Sequence, residues 1–371
     1  MVKRVIRAAL YVVLLTVLPA HAAERPDDSR QTVTVMTQNL YFGADLGPVL
    51  GAPDFPALVA AVGATFAAAQ ATNIPARLEA VADEIVKVRP DVIGLQEAAL
   101  WRTGPFTPPL RTEATTVAFD FIDLLLSALA ARGLDYDVIA VTSNLDAQVP
   151  GFTADGLQEI RLTDRDAILV RSASVGGRLQ WSPPDVRTGH FDVNVTLVSP
   201  AIGTLTIPRG WASVDFTLRD STFRFLTAHL ETVSAAVQVA QAQELLLGPL
   251  DTSLPLIFVC DCNSSANGQG PDATPTYAML VGAGLGDAWA QARSHAPGFT
   301  CCQRADLLNA PSELSERIDL VMVRGEIDVN GARLVGARPG DRTVTAPRVW
   351  PSDHAGVAAR LELTGFGHRG R

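Results

Sequence analysis

A chain of 371 residues, 47% hydrophobic and 19% charged, has enough apolar mass for one large α/β core or two small ones. Its formal charge of −9 argues against tight, non-specific binding of nucleic acid, which relies on Lys and Arg neutralising phosphates. It does not exclude catalysis on a phosphate held by a divalent metal, and neither an internal repeat nor a low-complexity tract interrupts the sequence.

Lys3, Arg4 and Arg7 precede an apolar run, Ala8 to Leu18, and Ala20-His21-Ala22 is a small-x-small cleavage site. The pattern predicts a signal peptide over residues 1–22 and a mature start at Ala23. The run is short for a membrane span, and no later stretch is apolar enough to be one. The expectation is a secreted or periplasmic, soluble, monomeric protein of one domain, 23–371. Losing three basic groups and no acid makes the mature chain more acidic still.

Val33–Met36 reads as a short strand ending at Thr37-Gln38-Asn39. Residues 44–75, rich in Ala, Gly and Pro, read as an insertion or lid-like segment with a helix near Phe55–Ala71. Ile74-Pro75 opens an amphipathic helix whose Leu78, Val81, Ile85 and Val88 recur at helical spacing until Arg89-Pro90. Asp91–Leu95 reads as a buried strand ending at Gln96-Glu97, and a helix over about Ala118–Arg132 closes at Gly133.

The middle is predicted β-rich: Ala167–Val170, Arg178–Trp181, Phe191–Leu197, and a hairpin of Trp211–Leu218 with Thr222–Ala228 that delivers His229. A helix over about Val233–Leu247 and an apolar strand, Pro255–Val259, follow. Ile318–Val323, the segment ending at Trp350, and Gly356–Leu363 complete the sheets. Strands dominate and no linker divides the chain, so the expected architecture is α/β, two sheets packed together with helices outside.

Polar motifs cap these apolar runs. Glu97 follows a buried strand, where a carboxylate is costly unless paired or bound to metal; it reads as a ligand of a hard cation or as a cap. Asp261 and Asn263 share one strand face and Cys260 and Cys262 the other. That suits an Asp that orients water and an Asn that donates to a phosphate oxygen; an Asx turn is the plain alternative. Asp319, in an apolar strand, needs a partner, either His354 of Ser352-Asp353-His354 or Arg317. His229 and Asn39 also end strands and are weak signals singly.

All four cysteines flank motifs: Cys260 and Cys262 around Asp261, Cys301 and Cys302 adjacent. In an oxidising compartment, disulfides between the two pairs would pin the Asp261 loop to the 299–303 loop. Free buried thiols and a zinc site remain open, although the spacing matches zinc pairs poorly.

In their order, Thr37-Gln38-Asn39-Leu40, Gly94-Leu95-Gln96-Glu97, Thr227-Ala228-His229-Leu230, Asp261-Cys262-Asn263, Arg317-Ile318-Asp319 and Ser352-Asp353-His354 resemble the endonuclease/exonuclease/phosphatase superfamily, from Thr34 to about Leu363. The resemblance implies a four-layer α/β sandwich, two mixed β-sheets flanked by helices, and a phosphoesterase dependent on Mg²⁺ or Mn²⁺. It implies metal binding at Glu97, with Asn39 and Asp353 beside it, and a water oriented by Asp261. Asn263 would bind phosphate, Asp319 and His354 would form a dyad, and His229 would be a second catalytic His. Asp166 is the candidate orienter of His229. Two positions depart from the pattern: Cys262 stands where an apolar or aromatic residue is usual, and Tyr41 where an acid often lies two residues after the first Asn.

The implied substrate is a phosphodiester, in a lipid headgroup or in nucleic acid. A phosphomonoester of a small metabolite and a non-catalytic binding module that keeps the fold are the alternatives, because fold does not determine substrate. No Lys/Arg stripe interleaved with aromatics marks a nucleic-acid groove. Val195–Ile202 and Trp211 read as hairpin core or as a membrane contact.

Overall fold

The computed structural model describes residues 31–108 and 112–364, so the leader expected over 1–22 lies outside the described residues. Sixteen strands are described: β1 (Thr32–Asn39), β2 (Val92–Gln96), β3 (Leu100–Pro105), β4 (Thr116–Asp120), β5 (Tyr136–Thr153), β6 (Gly156–Arg171), β7 (Val186–His190), β8 (Val195–Ser199), β9 (Gly203–Ile207), β10 (Gly210–Leu218), β11 (Ser221–His229), β12 (Leu256–Asp261), β13 (Gly286–Asp287), β14 (Asp319–Arg324), β15 (Ile327–Val335) and β16 (Gly356–Leu363). The helices are α1 (Gly47–Leu50), α2 (Phe55–Ala71), α3 (Ile74–Val88), α4 (Phe121–Ala130), α5 (Ala235–Leu247), α6 (Thr276–Gly282) and α7 (Ala288–Ala292).

Among the described residues one sheet runs β15-β16-β1-β2-β6-β3-β4, with β5 paired to β6, and a second runs β13-β14-β12-β11-β10-β7. Their inner faces interlock: Val33, Val35, Val92 and Ile168 of the first share a core with Phe216, Phe225, Ile257 and Val259 of the second. The outer face of the first sheet is covered by α2, α3 and α4, and that of the second by α5 and α6. The result is a four-layer α/β sandwich with mixed sheets.

Local sequence explains the helix limits. Pro75 sits in the first turn of α3, where its missing N–H costs nothing, and Arg89 ends the helix in the left-handed region, φ 51°, ahead of Pro90. Asp54 caps α2 through Ala57 N at 2.8 Å, and Ser234 caps α5 through Val237 N. The 44–75 segment carries α1 and α2, and Leu58, Val62, Phe66 and Ala69 of α2 join the core containing Met36 and Ile93. No single described helix is long and apolar enough to cross a membrane.

Gly94 of β2 lets the sheets close on each other. A Cβ there would lie 2.5 Å from Val259 Cγ2 and 2.7 Å from Thr227 Oγ1. One residue pair along, Gln96 Nε2 donates to Thr227 Oγ1 at 2.9 Å, and Thr37 Oγ1 to Gln96 Oε1 at 3.1 Å. The first joins the two sheets just beneath the strand ends, and the second, within the first sheet, orients the Gln96 amide for it.

Some elements differ from expectation. Arg178–Trp181 forms only one bridge, Gln180 with Thr217. The strand expected over Phe191–Leu197 is broken, because Asn194 donates to Phe191 O at 2.6 Å and accepts from Arg209 N at 2.9 Å, which turns the chain between β7 and β8. The second helix starts at Phe121 rather than Ala118, since β4 occupies Thr116–Asp120 and Asp120 caps the helix. The segment ending at Trp350 is loop, and the missing strand is β15. Val195–Ile202 belongs to a separate hairpin, β8 with β9, whose Val198 is 82% exposed while Val195 is buried.

Candidate active site

The polar motifs converge at one end of both sheets. Parallel pairing of β11 with β12 sets His229 opposite Asp261, and antiparallel pairing of β12 with β14 sets Asp261 opposite Asp319. Asn39 ends β1 beside Gln96, and Asn39 Nδ2 donates across to Asp261 Oδ2 at 2.9 Å. Glu97 and Asn263, just past their strands, both have positive φ, 52° and 45°. Such backbone is uncommon for non-glycine residues and clusters at functional sites.

Asp261 lies at the centre. Its Oδ1 accepts from Asn263 N at 3.1 Å, and its Oδ2 lies 3.6 Å from His229 Nε2 and 3.9 Å from His354 Nε2. Burial, reinforced by Asp319 and opposed by His354, pushes its carboxyl up to about 7. Asn263 gives one amide hydrogen to Leu230 O at 2.9 Å and has a second to offer.

His354 Nδ1 lies 2.8 Å from Asp319 Oδ2. Burial alone would lower the imidazole, but Asp319, Asp353 and Asp261 outweigh it and hold the ring well above its ordinary value, as an imidazolium. The alternative partner of Asp319, Arg317, is instead paired with Asp287. Thr300 Oγ1 accepts from Ile318 N and Asp319 N, both at 3.1 Å, and Ser352 Oγ ties His354 N to Asn39 O.

His229 differs from the expectation. Its Nδ1 faces Arg209 Nη1 at 2.9 Å, whereas Asp166 accepts from Asn144 Nδ2 at 3.1 Å. The orienting carboxylate sought in Asp166 is thus replaced by a guanidinium. A guanidinium can only donate, so Nδ1 is the acceptor and the ring hydrogen sits on Nε2, toward Asp261. Burial, then Arg209, then His354 hold this imidazole well below its ordinary value. Arg209 itself is buried and lies 3.5 Å from Asp164 Oδ2.

The cysteines also differ. The disulfides close within each pair, Cys260–Cys262 and Cys301–Cys302, not between the pairs. Cys260 is in β12 and Cys262 just past its end, with Cα atoms 5.1 Å apart, and both lie in the core under α5 and α6, behind Asp261. Thiol and zinc readings fall with this pairing. The 300–303 segment still braces the site: Cys302 N and Gln303 N donate to Asp353 O at 3.1 and 3.0 Å.

Around Glu97 the charge is unbalanced. Phe42 N donates to Glu97 Oε2 at 2.9 Å, yet burial, then Asp353 and Asp164, push the carboxyl up to about 8. Asp353 and Asp164 are raised as well, mainly by burial. Three clustered carboxylates, of which Asp164 is buried and Glu97 and Asp353 half-buried, fit a hard divalent cation such as Mg²⁺ or Mn²⁺. Among the described residues, Asp261, Asp319 and His354 offer ligand atoms within 4.8 Å of one another and could hold a metal ion, but only with the His354 ring neutral, because an imidazolium has no lone pair to give. Asn39 has its amide on Asp261 and its oxygen accepting Tyr41 N at 2.8 Å.

Two arginines that carry the site gave no sequence signal strong enough to find them. Besides Arg209, fully buried Arg77 of α3 donates to Leu40 O, to Tyr41 O at 2.9 Å and to Pro351 O at 3.0 Å. It thereby clamps the turn after Asn39 to the turn before Asp353. Its place at the head of a helix after Pro75-Ala76 looked like an ordinary amphipathic position.

No protein-family profile and no curated protein matches the chain in sequence. Solved structures do match in fold. An endonuclease/exonuclease/phosphatase family protein from Bacteroides thetaiotaomicron superposes with TM-score 0.56 at 18% identity, covering 92% of this chain and 100% of that one. A mannosyl-6-phosphatase of Bacteroides thetaiotaomicron VPI-5482 gives 0.52 at 18%, covering 89% and 99%. D. rerio TDP2 complexed with a single-strand DNA product gives 0.50 at 13%, covering 89% and 99%. With the strand-end motifs in the superfamily's order on two facing sheets, the chain has the endonuclease/exonuclease/phosphatase fold.

Proposed function

We propose that the chain is an exported, metal-dependent phosphoesterase that hydrolyses a phosphodiester by in-line attack of water. The observation that carries this reading is Asp261, held by Asn39 and Asn263 N between a neutral His229 and a charged His354. A carboxylate titrating near 7 is suited to take a proton from the attacking water at neutral pH. The His354 imidazolium, the His229 Nε2–H and the second Asn263 amide hydrogen then donate to the charge that grows on phosphorus-bound oxygens. Each well-placed donor is worth about 3–4 kcal/mol. Glu97, with Asn39 and Asp353, would hold Mg²⁺ or Mn²⁺, which when bound draws charge from the phosphoryl oxygens. Export rests on the 1–22 leader pattern.

An apolar cleft of about 270 Å³ includes Trp101, Leu145, Val149 and Leu205. Trp101 Nε1 donates to Phe42 O at 3.0 Å, and Phe42 N donates to Glu97 Oε2, so Phe42 links a wall residue of the cleft to the proposed metal end. This supports a substrate with an apolar group beside the phosphate, as in a lipid headgroup ester, over nucleic acid. The likeness to a mannosyl-6-phosphatase keeps a monoester as the second reading.

The test is hydrolysis of bis(p-nitrophenyl) phosphate against p-nitrophenyl phosphate with Mg²⁺, Mn²⁺ or EDTA, and Asp261→Ala as control. Metal-dependent cleavage of the diester that disappears in Asp261→Ala supports the proposal. Cleavage of the monoester alone replaces it with a phosphomonoesterase, and no turnover by folded protein of either ester or of sphingomyelin liposomes leaves a binding module.

A further inference from the structure

At the other end of the first sheet the acidic chain gathers positive charge. A cleft of about 560 Å³ is lined by six arginines: Arg89 after α3, Arg171 at the end of β6, Arg178, Arg293 after α7, Arg333 of β15 and Arg360 of β16. One lining carboxylate, Asp91, faces them. Thr34 on the cleft wall and Asn39 in the catalytic centre are five residues apart on β1. At about 3.3 Å per residue they are roughly 17 Å apart, so the two sites are separate.

The arginines are held in place mostly by neutral acceptors. Arg171 Nη1 donates to Arg89 O at 3.1 Å, Arg178 Nη2 to Thr32 O at 2.8 Å, Arg293 Nε to Ala332 O at 3.0 Å and Arg333 Nη2 to Lys87 O at 2.7 Å. Carbonyls fix a guanidinium without cancelling its charge, and each retains further N–H donors. Asp91 pairs with Arg171 and lies 3.6 Å from Arg178, and its Oδ2 also accepts Thr34 N at 2.8 Å. Arg171 Nε is buried without a partner. At the rim, Asn330 Nδ2 donates to Glu362 at 2.9 Å, which leaves that carboxylate partly occupied.

We propose that this cleft is a second, non-catalytic site for a small anion with two or more phosphate groups. Guanidinium forks match phosphate oxygens two at a time, and several on different strands around one cavity suit a polyvalent anion better than a single phosphate. The proposal does not depend on the catalytic reading.

The experiment is calorimetric titration of the full chain in EDTA with inorganic pyrophosphate and, separately, with inorganic phosphate. It is repeated on Arg333→Gln/Arg360→Gln, on the single variant Arg360→Glu, whose parent side chain is exposed, and on His354→Ala. The expected result is saturable 1:1 binding of pyrophosphate, at least tenfold tighter than phosphate. The affinity should fall at least tenfold in both arginine variants and be unchanged in His354→Ala, with bis(p-nitrophenyl) phosphate turnover unaltered by the arginine changes. Absence of pyrophosphate binding at millimolar concentration would overturn the proposal. So would binding that survives both arginine variants, or that is lost in His354→Ala.

Discussion

Asp319 Oδ2 meets His354 Nδ1 at 2.8 Å while the other ring nitrogen, Nε2, lies 3.9 Å from Asp261. One carboxylate thus fixes the ring and its charge, and a second, one strand away, shares its far side. Asp319→Asn keeps the shape of the contact and removes the charge that holds the imidazolium. We expect kcat on bis(p-nitrophenyl) phosphate to fall by roughly 100-fold or more, the scale of a positioned acid–base group, with the circular dichroism spectrum unchanged. Turnover within a few-fold of the parent would show that His354 works without Asp319.

Arg209 determines which nitrogen of His229 carries hydrogen. Arg209→Met keeps an apolar stem and removes the donor, so the ring is free to take either tautomer and regains basicity. The expected loss in kcat is roughly 10–100-fold, the scale of a misplaced catalytic group. The ¹⁵N spectrum of His229 should show the Nε2–H tautomer in the parent and a mixture, or the cation, in the variant. An unchanged spectrum would remove Arg209 from the positioning role.

The disulfide beside Asp353 should be dispensable for chemistry. The contacts that reach the site from 302–303 are backbone N–H groups on Asp353 O, and serine retains them. Cys301→Ser/Cys302→Ser is expected to keep turnover within a few-fold at 25 °C, measured in the same diester assay. A folded variant without turnover would contradict this.

Glu84 lies buried in α3 with neither oxygen hydrogen-bonded. Burial, then Asp341, raise its carboxyl well above the ordinary range. The folded state therefore keeps a proton that the unfolded chain releases, and stability falls as pH rises from the carboxylate range through the folded value. Glu84→Gln escapes this cost. Its Tm should match the parent near pH 4 and exceed it by on the order of a few degrees at pH 8, measured by calorimetry. Equal Tm values at both pH values would show that Glu84 is not held protonated.

Much of the site was legible because its residues follow apolar strands. The all-buried runs of β2, β12 and the start of β14 leave Glu97, Asp261 and Asp319 conspicuous, whereas the alternation expected over 260–263 stops at Asp261, where β12 ends. The disulfides close within each pair, between residues two and one apart in sequence, a local closure that cysteine spacing alone does not distinguish from a bridge between the two loops. Arg209 escaped notice because nothing local distinguishes it. It reaches His229 through the β10–β11 hairpin and the turn at Asn194, and such tertiary placement leaves no periodic trace. Strands β3, β4 and β15 carry mixed, half-exposed residues, so their pairing partners rather than their own patterns make them strands.

The near-contact at Gly94 gives the catalytic centre a mechanical side. Asn39 and Glu97 ride on one sheet, and Asp261, His229 and Asp319 on the other. The Asn39–Asp261 hydrogen bond therefore gauges the gap between the sheets, as a feeler blade does between two plates. A single methyl inserted at Gly94 would widen that gap without touching any reacting group. Loss of catalysis would then report slippage between the halves of the sandwich well before either half unfolds.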